Sequence, residues 1–183
     1  MRKRFSWKSK RLLGDDHPAT LITMGNLAST YREQGRLEDA EALEVLVLEK
    51  RKLLLGDDHP LTLRAMSNLA LTYWKQGRLQ DAATLQLVTM EKTKRALGDD
   101  HNYTLDNMAN LVNTYRDQGR LEDAEVLGAD VIEKMKRANG DDHPDTLKSM
   151  SSLAATYKDL GRLDDAGALE AIVEESRKRR DDS

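Results

Sequence analysis

Four copies of a 42-residue unit run through this 183-residue chain, and that periodicity limits its fold more than any other feature. Gly-Asp-Asp-His begins at Gly14, Gly56, Gly98 and Gly140, and Gly-Arg-Leu recurs at the same interval from Gly35, Gly77, Gly119 and Gly161. Tyr31, Tyr73, Tyr115 and Tyr157 keep the register, as do Met24, Met66, Met108 and Met150, and Ala40, Ala82, Ala124 and Ala166. A fixed period of about 20–50 residues marks architectures built from one supersecondary unit used repeatedly. All four histidines, all three prolines and eight of the eleven glycines fall on repeated positions, so few unusual residues remain to build a unique active centre.

Within one unit, Leu21, Met24, Ala28 and Tyr31 recur at helical spacing with Leu27 beside them, the apolar stripe of an amphipathic helix. This first helix, the A helix, is predicted over 18–34, with proline in its first turn and Gly35 after its end, where a positive φ is wanted. A second, the B helix, is predicted over 37–54. Glu38, Asp39 and Glu41 suit its N-terminal pole, and Lys50, Arg51 and Lys52 its other end. Each unit is then an antiparallel pair whose apolar stripes are covered only when pairs stack, and small residues at Ala28, Ala70 and Ala154 and in the Ala40 column let them approach closely. The expected fold class is all-α: a right-handed solenoid of four helix pairs.

Composition agrees with this reading. Aromatics are only 4% and charged residues 33%, which disfavours a β-sandwich and suits helices. The net charge of −3 offers no global field to draw nucleic acid or an anionic membrane. There is no cysteine, so disulfides, thiol catalysis and Cys-ligated zinc are excluded. No apolar leader or membrane-length apolar run is present, and a cytoplasmic protein is the default. No Walker-type glycine loop, Gly-x-Ser-x-Gly elbow or His-Glu-x-x-His motif occurs, and the expectation is no enzyme, no cofactor and no metal.

Leu27-Ala-x-x-Tyr31, Gly35, Ala40 and the pair Val47 and Leu48 are spaced like the tetratricopeptide signature. The 42-residue period, the Gly-Asp-Asp-His-Pro linker and the Asn-Leu-Ala-x-x-Tyr core resemble the kinesin-light-chain-type subclass. The run from Asn68 to Arg78 is also similar to arrays that end many fungal NOD-like signalling ATPases. The resemblance covers essentially the whole chain. It implies a superhelix whose concave wall, built by the A helices, binds a peptide or protein partner. The alternative reading is a sensor or oligomerisation module of a larger signalling ATPase. Self-association is expected to be absent or weak, end to end or side to side.

The units divide the chain as one array: a partial helix at 1–13, then 14–55, 56–97, 98–139 and 140–183. The basic stretch to Leu13 matches the last turns of a B helix. At the other end, the column of Leu48, Met90 and Ile132 becomes Glu174, that of Leu54, Ala96 and Ala138 becomes Arg180, and that of Leu55 and Leu97 becomes Asp181. Charge replacing an interface predicts a water-facing last helix.

The four Asp-Asp-His sets resemble metal ligands in type, but the repeated need for helix starts accounts for them, with Asp capping the A helix and His filling the turn. Equivalent side chains on packed helices begin about 8–10 Å apart, too far to share one zinc at about 2 Å. Basic clusters at Arg2, Lys3 and Arg4 with Lys8, Lys10 and Arg11, and at 177–180, are of the kind that serves as nuclear-localisation or nucleic-acid patches, but positive charge at a helix C-terminus is favourable in itself and that reading is preferred.

The binding candidates lie opposite the apolar stripe of the A helices, where residues change from unit to unit. One layer holds Ile22, Arg64, Asp106 and Lys148; another holds Ser29, Leu71, Asn113 and Ala155. Between them Asn26, Asn68 and Asn110 give way to Ser152. A carboxamide row can donate to and accept from an extended backbone whatever its side chains, and is similar to the row by which the family holds peptides. Alternatively, each Asn bonds a neighbouring loop or helix. The positions matching the family's first clamp lysine are small (Gly25, Ser67, Ala109 and Ser151), so the resemblance does not extend to a carboxylate clamp. Trp74 stands where other units have Arg32, Arg116 and Lys158, either as an anchor or lying flat over the neighbouring turn.

Overall fold

A computed structural model of the chain describes Gly14 and residues 16–181, and every regular element among them is an α-helix. In order these are α1 (Pro18–Glu33), α2 (Leu37–Leu55), α3 (Pro60–Lys75), α4 (Leu79–Leu97), α5 (Asn102–Asp117), α6 (Leu121–Asn139), α7 (Pro144–Asp159) and α8 (Leu163–Asp181). The odd-numbered helices are the A helices and the even-numbered ones the B helices. The helix expected before Gly14 lies outside the described residues.

The chain divides into two compact units, residues 1–92 and 93–183, with α4 straddling the division. In the first, α1 packs on α2, α2 on α3, and α1 also touches α3; in the second, α5, α6, α7 and α8 pack in succession and α5 touches α7. A helix that meets its hairpin partner on one side and the next hairpin on the other buries two stripes, which is how a repeat protein extends its core. Leu21, Met24, Val47, Leu63, Met66 and Leu69 are buried in the first unit, and Leu105, Met108, Leu111, Val131, Leu147 and Met150 in the second. The Ala40 column has no exposure at all, leaving no room for a larger side chain between helices.

The linker chemistry differs from its sequence reading. The histidine of each Asp-Asp-His set is the cap: the Nδ1 atoms of His17, His59, His101 and His143 accept the backbone N–H groups of Ala19, Leu61, Tyr103 and Asp145 at 3.1–3.2 Å. An imidazole nitrogen with extended backbone does here what a short carboxylate or hydroxyl usually does. The preceding aspartates turn to B helices instead. Asp16 pairs with Lys50 at 2.6 Å, Asp58 with Lys92, Asp100 with Arg137 at 3.3 Å and Asp142 with Arg179 at 3.1 Å.

The A-to-B turn is a second fixed device. Gly35, Gly77, Gly119 and Gly161 all hold φ near +75°, a region other residues rarely enter. The arginine after each glycine stacks on the tyrosine five residues earlier, with guanidinium carbons 4.0–4.5 Å from the ring centroids of Tyr31, Tyr73, Tyr115 and Tyr157. It also pairs with an aspartate three residues on: Asp39, Asp81, Asp123 or Asp165.

In α8, Glu174 is exposed and pairs with Lys178 at 3.3 Å. The side chains of Arg180 and Asp181 lie outside the described residues. Leu54, Leu55, Ala96 and Ala138 are themselves exposed, so those columns are not the buried interface that the sequence suggested. They stand at the last turn of their B helices, past the buried stripe. The column of Leu48, Met90 and Ile132 is covered, Met90 partly so, and Leu97 is half-buried while Leu55 is exposed.

Candidate functional site

In the first unit four of the expected residues meet. Ile22 and Asn26 of α1 and Arg64 and Asn68 of α3 line one small pocket of about 40 Å³, joined by Glu44, Val47 and Arg51 of α2. Its charged B-helix members were not anticipated. Their signal was nevertheless in the repeat: the column of Glu44 reads Glu, Gln86, Gly128, Glu170, and that of Arg51 reads Arg, Thr93, Met135, Arg177, both broken where structural columns are constant.

The two charged α2 side chains are held very differently. Glu44 is only 3% exposed; its Oε1 accepts from Arg32 at 2.6 Å and its Oε2 from the Thr72 hydroxyl at 2.5 Å. Burial pushes its carboxyl above the ordinary range, against the opposing pull of Thr72 and Arg32. Arg32 also reaches the Asn68 carbonyl at 3.3 Å, so the pair ties α1, α2 and α3 together. Arg51, 4% exposed, donates to the Leu61 carbonyl at 2.8 Å and has no carboxylate partner among the described residues. Burial, and then the charge of neighbouring Arg64, lower its hold on its proton. Arg64 is exposed and likewise has no ion-pair partner among the described residues.

The carboxamides of Asn26 and Asn68 have no protein partner among the described residues, so neither bonds a neighbouring loop or helix there; their backbone carbonyls alone accept bonds, from Thr30 and Arg32. Leu71 and Trp74 lie farther along α3, both half-buried, with the Lys75 ammonium 5.9 Å from the centroid of the Trp74 ring. Trp74 occupies the column of Arg32, and the Glu44 column beneath it holds buried Gln86 in place of a carboxylate.

In the second unit α5 carries Asp106, Asn110 and Asn113, and α7 carries Lys148. Both asparagine side chains again lack a protein partner among the described residues. Loss of water raises the Asp106 carboxyl, Asp145 adds to the rise and Lys148 opposes it. Where the first unit has Glu44 and Arg51, this one has Gly128 and Met135, both buried, and the Met135 sulfur accepts the Ser149 hydroxyl at 3.1 Å.

Among the described residues no three histidine, aspartate or glutamate side chains are grouped to hold a metal ion. No described helix is long and apolar enough to cross a membrane. In the C-terminal basic cluster Lys178 and Arg179 are paired within α8 and to its linker, with Glu174 and Asp142; the N-terminal cluster lies outside the described residues.

Paired helices of fixed length, capped and turned identically and joined in succession, define a helical-hairpin repeat protein. The tetratricopeptide repeat family model matches residues 20–61, 62–103 and 104–145, more than half the chain, and the chain belongs to that family. Among solved structures, a kinesin-light-chain-like protein of Podosopora anserina with nearly identical TPR-like repeats is 24% identical, with a TM-score of 0.81 over 100% of this chain and 86% of that one. A single-substitution variant of that protein gives a TM-score of 0.84 over the same shares. BtubC (BKLC) from P. vanneervenii is 17% identical, with a TM-score of 0.82 over 98% and 72%. These likenesses establish the fold. No curated protein matches the sequence. Tetratricopeptide repeats are in general protein-interaction scaffolds.

Proposed function

We propose that the chain is a non-enzymatic interaction module that holds an extended peptide or protein segment on the exposed face of its A helices. The observation that carries this reading is the set of carboxamides on Asn26, Asn68, Asn110 and Asn113, which have no protein partner among the described residues. Each carboxamide has two donors and an acceptor, and burying such a group without partners is unfavourable, so side chains of this kind at a contact surface are satisfied by a ligand or by water. A peptide backbone presents the matching carbonyl and N–H groups at regular intervals. Around these positions Ile22, Arg64, Leu71, Trp74, Asp106 and Lys148 differ from unit to unit, which gives such a surface its selectivity. The kinesin-light-chain-like neighbours are consistent with a scaffold of this type.

The test is a pull-down from extract of the source cells with the intact chain and with all four asparagines changed to alanine, alongside circular dichroism and melting. Loss of the captured partner with helicity and Tm unchanged is expected. Undiminished capture would sink the assignment of the A-helix face.

A further inference from the structure

Arg51 is more than nine-tenths buried, yet its guanidinium meets one carbonyl and no carboxylate among the described residues. A buried cation without a counter-charge is unfavourable, and a guanidinium with five N–H donors is poorly served by a single acceptor. A second guanidinium, that of Arg64, lies near enough to oppose it electrostatically and lines the same pocket. The one carboxylate there does not relieve either of them. Both oxygens of Glu44 are taken by Arg32 and Thr72, and the Glu44 charge is matched by Arg32. The pocket therefore holds two positive charges in excess around an open space of about 40 Å³, enough for a few water-sized atoms.

We propose that Arg51 and Arg64 form a site for a doubly charged tetrahedral oxyanion carried by the partner, a phosphorylated serine or threonine side chain. The proposal rests on the reading that the A-helix face holds a peptide, with Asn26 and Asn68 meeting the backbone on either side of the phosphate. A carboxylate would neutralise only one guanidinium, whereas a phosphate dianion matches both and offers three acceptor oxygens to their planar forks. The second unit supplies an internal contrast. Its equivalent positions hold Met135 and Lys148, with Asp106 beside Lys148, so no paired cations face one another there.

The test uses the whole chain in two assays. Inorganic phosphate is titrated by calorimetry, and degenerate peptide pools carrying phosphoserine, serine or glutamate at a fixed central position are compared for retention. Phosphate binding is expected, weakened about tenfold or more by Arg51→Met and by Arg64→Gln and unchanged by substitution of an exposed lysine outside the proposed face, Lys178→Gln, and the phosphoserine pool is expected to exceed both others by about tenfold. Arg51→Met takes the residue that the second unit already has, and Arg64 is exposed, so both variants are expected to fold. Absent phosphate binding, or binding indifferent to Arg51→Met, overturns the site, as does a glutamate pool retained as well as the phosphoserine pool. Peptide retention that depends on Asn26 and Asn68 but not on phosphate overturns the oxyanion site and leaves the groove standing. Phosphate binding that depends on Arg51, without retention of any pool, shows that the two guanidinium groups hold a free anion and overturns both the phosphopeptide assignment and the groove.

Discussion

The three helices α1–α3 of the first unit and the three helices α5–α7 of the second are built by the same rules and filled differently. Both start their A helices on a histidine cap, turn on a glycine of positive φ and stack an arginine on the preceding tyrosine. Between those devices the first unit has a glutamate and an arginine buried on its B helix where the second has a glycine and a methionine. Arg32 is turned inward onto Glu44 at 2.6 Å, while Arg116, with no carboxylate at the Gly128 column, pairs with Asp117 at 3.5 Å and Asp159 at 3.8 Å. One backbone thus accommodates a polar interior and an apolar one. The columns that never change specify the fold, and those that do change carry what distinguishes one surface from the next.

The largest effect expected from this contrast is at Glu44. Glu44→Ala would leave Arg32 without its partner and a third cation uncompensated at the pocket, lowering stability by about 3 kcal/mol in chemical denaturation. Equal stability for the variant would break the claim that the two interiors are differently held. Next comes Arg51→Met, which gives the first unit the residue of the second. Removing a buried cation that has no carboxylate should raise stability by about 1–2 kcal/mol while weakening anion binding. A drop in stability would mean that the Leu61 carbonyl bond outweighs the buried charge.

The shared devices should respond alike in both units. His59→Ala and His143→Ala each remove one cap and should each cost about 1 kcal/mol, whereas asparagine at either position should restore most of it; unequal losses would show that the linkers are not equivalent. The smallest effects are expected at the helical glycines of the second unit. Gly167 has open space where a Cβ would stand, so Gly167→Ala should add up to about 1 kcal/mol. At Gly128 the added carbon would meet a Leu153 methyl at 3.2 Å and Val112 at 3.5 Å, and the gain should shrink or vanish.

The fold was legible because each of its devices is written into the chain four times over: the apolar stripe, the turn glycine and the small alanine each recur at one spacing. Which linker residue caps the A helix was not legible, since aspartate is the commoner cap by propensity and only geometry reveals that the imidazole reaches the amide. The A-helix members of the pocket were readable as the variable, non-stripe positions. Glu44 and Arg51 were not, because a charged residue on an amphipathic helix is ordinarily read as facing water, and their burial is created by α3 closing over α2. Their broken columns are the signal that the sequence carries for them.

The central claim, that a partner lies on the exposed face of the A helices, is tested most directly by placing a photoreactive side chain at two exposed apolar positions of the first unit. Ile22, 47% exposed, stands on the proposed binding face of α1, and Leu53, 80% exposed, stands on the last turn of α2. In extract of the source cells the chain carrying the photoreactive group at position 22 should form a cross-linked species with its partner, and the chain carrying it at 53 should not. A partner captured from position 53 and never from position 22 would contradict the account.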